Sequence, residues 1–103
     1  MSTTRARLGI LISGRGSNME ALADACANGA PAEIAIVVSN VASAPGIARA
    51  HERSIETAVI ESRGMAREDH ERLVTAALEG AGADLICLAG YMRLLTGEFV
   101  RRW

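Results

Sequence analysis

Aromatic side chains are scarce in this sequence. It holds one tyrosine, one phenylalanine and one tryptophan, and Tyr91, Phe99 and Trp103 all fall in its closing stretch. A self-contained domain spreads its aromatics through its core, so this clustering predicts an apolar closing surface that seeks a partner. Cysteine is also scarce. Cys26 and Cys87 stand far apart in apolar surroundings, which excludes a disulfide framework and reads as free thiols in a reducing, cytoplasmic setting. No apolar run approaches the ~18 residues of a spanning helix, and Leu8 to Ile12 is too short for a signal-peptide core. The formal net charge of −1 speaks against a nucleic-acid binder that relies on a broad basic face. No repeat, linker or low-complexity segment interrupts the chain.

What remains is an ordinary globular composition, half hydrophobic and 22% charged over 103 residues. That length suits one domain, able to bury roughly 65% of its unfolded surface. Leu8 to Ser13, "LGILIS", is apolar without alternation and predicts a strand buried on both faces. A helix is expected from about Ser17, where Ser17 and Glu20 fit a capping box, with Asn28-Gly29 closing it. Ile34 to Ser39, "IAIVVS", is the clearest strand. Pro45 suits the first turn of a short helix over about Gly46–Arg53. Glu56 to Ile60 predicts a third strand. Arg67 to Glu79 predicts the longest helix, with Leu73, Val74, Ala77 and Leu78 facing inward. Asp84 to Gly90, "DLICLAG", predicts a fourth buried strand, and Thr96 a cap for a last helix that carries Phe99 and Val100. Strand and helix thus alternate four times. The expectation is an α/β, Rossmann-like, doubly wound parallel sheet in strand order 3-2-1-4. In such sheets ligands bind beyond the carboxyl ends of the strands, here "SGRGSN", "SNVASAPG", "ESRGMAR" and "GYMRLL".

The first of these loops has the makings of an anion site. Gly14 and Gly16 permit a tight, positive-φ path and close backbone approach. Gly16, Ser17 and Asn18 lie where a helix N-terminus offers unpaired N–H groups and the positive end of its dipole. The residues alone are equally served by a tight strand-to-helix turn. The dinucleotide fingerprint needs a small residue where Met19 stands and an acid at the end of the second strand, where Ser39 and Asn40 occur instead. The triphosphate loop needs G-K-[ST], and no lysine precedes Met19. The loop therefore suits a single terminal phosphate.

"LISGRGSNMEAL" and "LICLAGYMRLL", in that order, resemble the phosphoribosylglycinamide formyltransferase family, whose members carry an S-G-x-G-S-N loop after strand one and an L-A-G-[FY]-M-R-[IL]-L segment after strand four. "VSN" and the "SR" to "AR" region resemble it too, and the similarity runs from Leu8 to Trp103. The resemblance implies transfer of a formyl group from 10-formyltetrahydrofolate, as co-substrate and without a metal, to glycinamide ribonucleotide in purine synthesis. It implies that Gly16, Ser17 and Asn18 hold the ribonucleotide phosphate. It places Arg67 near the folate, and the backbone of Met92, Arg93, Leu94 and Leu95 against the pterin ring. Arg15 sits where the family varies.

By the residues alone, Arg67 also fits a solvated first-turn position, and Tyr91 and Met92 fit packing. His51 and His70 lie amid charges, in "RAHERS" and "EDHERL", and are expected to be solvated helix residues, with "REDHER" a charged solvent face. Asp24, Asp69 and Asp84 are expected at the surface. No metal spacing or serine–histidine–aspartate arrangement occurs. The resemblance implies that the proton-shuttling and oxyanion-stabilising groups, an Asn and a His in N-x-H-P and a later Asp, come after the position of Trp103. The chain is then expected to be the ribonucleotide-phosphate part of a formyltransferase domain over residues 1–103, without its catalytic C-terminal part. It should be inactive by itself and self-associate through Tyr91–Trp103. A non-catalytic phosphate- or nucleotide-binding module of similar layering is the other reading, and only the enzyme predicts a pterin site at Tyr91 to Leu95.

Overall fold

The structure, a computed structural model, describes residues 5–103. The elements are β1 (Ala6–Ile12), α1 (Ser17–Ala27), β2 (Ala32–Ser39), α2 (Pro45–Glu52), β3 (Thr57–Val59), α3 (Arg67–Gly80), β4 (Leu85–Leu88) and α4 (Gly97–Arg102). All three strand pairings are parallel and the order is β3-β2-β1-β4. Both features match the sequence expectation.

The topology follows from the handedness of the crossovers. The chain winds β1 to β2 to β3 in one direction, then returns past β1 to reach β4. Right-handed crossovers put the helices of the two directions on opposite faces of the sheet. Two cores result. On one face Leu8, Ile10, Ile12 and Val37 pack with Met19 of α1 and Ala50 of α2. On the other, Leu11, Ile36 and Val38 pack with Val74 and Leu78 of α3 and Phe99 of α4. Successive β1 residues alternate between these cores, so both faces must be apolar, as the unbroken run required. Gly9 lets α3 close on the sheet, because a Cβ there would stand 2.4 Å from Leu78 Cδ2.

Several expectations are corrected. β4 is an edge strand rather than a fully buried one, with Leu85 and Leu88 more than half exposed, because no strand lies beyond it in the order observed. Leu73 points outward, 49% exposed, while its neighbour Val74 takes the inward place. The helical stripe toward the sheet is narrow, and Val74 and Leu78 fill it. "REDHER" is not wholly a solvent face: His70 is fully buried and Glu71 nearly so. The aromatics are not the exposed surface at the end of the chain. Phe99 is buried, while Tyr91 and Trp103 pack beside it, and Phe99 and Trp103 stand with ring centroids 6.5 Å apart. The exposed residues there are aliphatic, with Met92 82% and Leu94 74% exposed. Thr96 caps α4 as expected, its hydroxyl accepting from Phe99 N at 3.2 Å. Both cysteines are free and half-buried.

Candidate functional site

Helix α1 leaves β1 toward one face of the sheet. The chain beyond β4 feeds helix α4, which packs on the other. The crevice between the carboxyl ends of these neighbouring strands is the switch point of the fold.

The capping box expected at Ser17 and Glu20 is absent. Gly16 is the N-cap, in the left-handed region at φ 80°, and no side chain caps the helix. Ser17 is the first helical residue, and the Glu20 carboxylate turns to Arg49 and Arg53 of the α2 region. The cause is the path of the loop. A left-handed Gly16 presses its backbone on Gly46, where a Cβ would meet Gly46 Cα at 2.8 Å, and Gly46 N donates to Gly14 O at 3.0 Å. Two helix N-termini thus meet, but they differ in what they leave free. In α2, Pro45 has no N–H, and the Gly46 and Ile47 N–H groups are bonded to Gly14 O and Ala44 O. In α1, the N–H groups of Ser17, Asn18 and Met19 precede the first intrahelical donor, Glu20 N to Gly16 O at 2.8 Å. The free donors are those of α1. They face the crevice with the dipole's positive end behind them.

A chain of polar side chains joins this loop to the other strand ends. Ser13 Oγ donates to Asn40 Oδ1 at 2.5 Å and accepts from Met92 N at 2.8 Å. Asn40 Nδ2 donates to Ser62 Oγ at 3.1 Å. Arg93 donates from Nη1 to Ser62 O at 2.9 Å and from Nη2 to Met65 O at 3.2 Å. All four strands therefore contribute their carboxyl ends to one polar seam. Ser39 takes no part, since its hydroxyl is bonded to Val41 O. The sequence reading gave Ser13, Asn40 and Ser62 no role. Their only signals were the Ser of "SGRG", the Asn of "VSN" and the Ser of "ESR", none of which names a partner.

The residues singled out from sequence are brought together in part. Gly16, Ser17 and Asn18 flank the crevice on one side and Met92–Leu95 on the other, joined by the Ser13–Met92 bond. Arg67 opens α3 just past Met65 and is exposed. The Arg93 guanidinium is spent on the carbonyls of Ser62 and Met65, which leaves its backbone as the part able to meet a ligand. Arg15 and Arg63 in the loops at this end and Arg67 at the start of α3 are exposed, and among the described residues none of the three pairs with a carboxylate. Their charge draws anions toward the crevice. A cavity of about 360 Å³ lies elsewhere, between α3 and α4, and its lining includes Glu68, Glu71, Glu79 and Glu98. Arg72 and Arg102 line it too, but four carboxylates outnumber these two guanidinium groups, so the open crevice is the better anion site.

The histidines lie apart from this chemistry. His51 is exposed, as expected, and its Nε2 meets Thr57 Oγ1 at 2.7 Å, by the amino end of β3. His70, expected in solvent, is buried with Nε2 2.6 Å from Ile60 O. Tyr91 is half-buried, and burial, followed in size by Arg93 acting in the opposite sense and by the Glu71 carboxylate, leaves its phenol above the ordinary value. Burial, and more weakly Cys26, pushes the Cys87 thiol up. Among the described residues no cluster of histidine, cysteine and carboxylate could hold a metal.

The sequence profile of the family described as formyl transferase matches residues 6–103. The chain belongs to the formyl transferase family. Among individual relatives, it is 43% identical over 107 residues to the trifunctional purine biosynthetic protein adenosine-3 of Drosophila melanogaster, all of this chain against 8% of that protein. It is 38% identical over 99 residues to phosphoribosylglycinamide formyltransferase of Haemophilus influenzae, 94% of this chain against 47% of that protein. The crystal structure of phosphoribosylglycinamide formyltransferase from Brucella melitensis superposes with a TM-score of 0.90 at 48% identity, over 95% of this chain and 52% of that one. The formyl transferase chain thus spans about half the length of these single-function relatives. Its strand order and layering are those of the formyl transferase fold. No described helix is long and apolar enough to cross a membrane.

Proposed function

We propose that the chain is the ribonucleotide-phosphate-binding part of a phosphoribosylglycinamide formyltransferase, which moves a formyl group from 10-formyltetrahydrofolate to the glycine amine of glycinamide ribonucleotide in the cytoplasm. One observation carries the reading. The uncapped first turn of α1, held open by the Gly16–Gly46 contact, faces the Met92–Leu95 loop across the switch point, in a chain whose relatives include proteins named for this activity.

In this reading the N–H groups of Ser17 and Asn18 hold the phosphate, and Gly16 keeps side-chain bulk away from it. Arg15, Arg63 and Arg67 steer both anionic substrates toward the crevice, with Arg67 beside the folate. The backbone of Met92, Arg93, Leu94 and Leu95 meets the pterin ring, with Met92 and Leu95 supplying apolar walls. Formyl transfer also needs a stabilised oxyanion and a proton shuttle. His51 lies by the amino end of the sheet and His70 is buried against a carbonyl, so neither is placed to serve. The chain by itself then binds without turnover, as the N-terminal part of a formyltransferase domain.

The test is an amide-resolved titration of the 15N-labelled chain with glycinamide ribonucleotide. Shifts concentrated at Gly16, Ser17 and Asn18 are expected. A ligand that shifts other amides and leaves these still refutes the assignment. A second titration with a reduced folate separates the enzyme from a phosphate-binding module without a pterin site, because only the enzyme predicts shifts over Met92–Leu95.

A further inference from the structure

The polar seam across the strand ends has a direction to its dependence. Met92 is 82% exposed, and its loop follows β4, which among the described residues has no strand beyond it. Its backbone is nevertheless held at one point, the 2.8 Å bond from Met92 N to Ser13 Oγ. Ser13 in turn is aimed by Asn40, itself 8% exposed and bonded on both ends of its amide, to Ser13 and to Ser62. The Asn40 backbone is anchored too. Its N–H donates to Ile12 O at 3.4 Å, and its carbonyl accepts from Ser62 N at 3.3 Å. The rigid partner is therefore the β1–β2 core, and the dependent partner is the loop after β4. The donors of α1 do not hang on this bond, because Gly16 and Gly46 set them.

We propose that Ser13, aimed by Asn40, is a positioning residue that sets the Met92–Leu95 loop against the phosphate loop and so selects for the folate co-substrate without touching it. The proposal rests on the reading of the two half-sites given above. A hydroxyl is needed at position 13 because it must accept from Met92 N and donate to Asn40 at the same time. Alanine does neither, and threonine does both. The amide at position 40 is needed because its oxygen faces a donor and its nitrogen an acceptor. Aspartate keeps the first bond, and the second survives there only in reverse, with the Ser62 hydroxyl turned to donate.

The experiment compares the wild-type chain with Ser13→Ala, Ser13→Thr and Asn40→Asp. The first readout is hydrogen exchange at the Met92 amide. Ser13→Ala should speed it about fivefold or more, the loss of one hydrogen bond, and Ser13→Thr should restore it. The second readout is the affinity of two probes, inorganic phosphate and 5-formyltetrahydrofolate, followed by amide shifts. In Ser13→Ala, and less strongly in Asn40→Asp, folate affinity should fall about tenfold, the upper end of what one lost hydrogen bond gives, while Arg93 keeps its bonds to Ser62 and Met65. Phosphate affinity should stay within about twofold. A merely structural role would move both affinities together, and that result overturns the proposal. So does a Met92 exchange rate that Ser13→Ala leaves unchanged. If the wild-type chain binds neither probe, the half-site reading fails by itself, and the exchange and its rescue by threonine still decide whether Ser13 positions the loop.

Discussion

Replacing Gly16 with alanine is the sharpest probe of the phosphate loop, since one methyl group meets two obstacles there. The residue sits at φ 80°, where an L side chain costs about 1–2 kcal/mol. The new Cβ would also stand 2.8 Å from Gly46 Cα. That neighbour is backbone and cannot rotate away, so α2 must move off and stretch the Gly46 N to Gly14 O bond, worth about 1 kcal/mol. Together the cost is about 2–3 kcal/mol, which for a domain of this size lowers the melting temperature by roughly 10–20 °C. Two other glycines serve as internal controls. At Gly14 nothing lies within 4 Å of an added Cβ and φ is not left-handed, so Gly14→Ala should change stability by no more than about 0.5 kcal/mol. At Gly46 the Cβ meets the Ile12 Cδ1 tip at 2.5 Å, which can swing, and Gly16 Cα at 3.1 Å, so Gly46→Ala should fall between the two. Thermal unfolding followed by far-ultraviolet circular dichroism ranks all three. A Gly16→Ala chain that melts no lower than Gly14→Ala would refute the reasoning, and with it the claim that this contact holds the first turn of α1 open.

The Met92–Leu95 loop offers a contrast between side chain and backbone: Leu94→Ile should leave folate affinity nearly intact, whereas Leu95→Pro removes an N–H and fixes φ and should abolish measurable binding in the same titration. Glu71 accepts from Thr96 N at 2.8 Å and from Thr96 Oγ1 at 2.5 Å, tying α3 to the start of α4, so Glu71→Ala should lower stability in urea unfolding by about 2–3 kcal/mol; an unchanged midpoint would show that α4 docks through Phe99 alone. Tyr91 titrates above its ordinary value of 10.0 in the folded chain, chiefly through burial. The folded state therefore binds its proton more tightly than the unfolded state, so this contribution is complete below about pH 10 and is lost as pH rises through the folded value. Tyr91→Phe should flatten the fall in stability as pH rises above about 10, and an equally steep fall in the variant would count against the burial argument.

Some of this was written into the chain one segment at a time. Leu8 to Ile12 and Ile34 to Val38 are apolar without alternation, a pattern that only a strand covered on both faces can use, and helices alternate with such strands. Parallel pairing follows from that and from crossover handedness, and the expected order β3-β2-β1-β4 is the one the structure has. The two glycines around Arg15 mark the strand-to-helix turn, and "GYMRLL" marks the neighbouring strand end, so both sides of the crevice were legible. Periodicity failed where burial depends on what lies across the fold. His70 and Glu71 stand in a run of charges, yet one reaches Ile60 O and the other Thr96. Those partners pull them into the core side of α3, while Leu73, apolar but one step around the helix, is left in solvent. The apparent capping box at Ser17 and Glu20 failed for a similar reason: Gly46, thirty residues on, presses on Gly16 and turns it left-handed. The seam from Met92 to Ser13 to Asn40 spans 79 residues in its first bond and 27 in its second. A serine and an asparagine at such separations are ordinary loop residues until the sheet brings their strand ends side by side. Hydropathy and turn chemistry are local and can be read along the chain, but which polar atom meets which is settled only when β1 lies between β2 and β4.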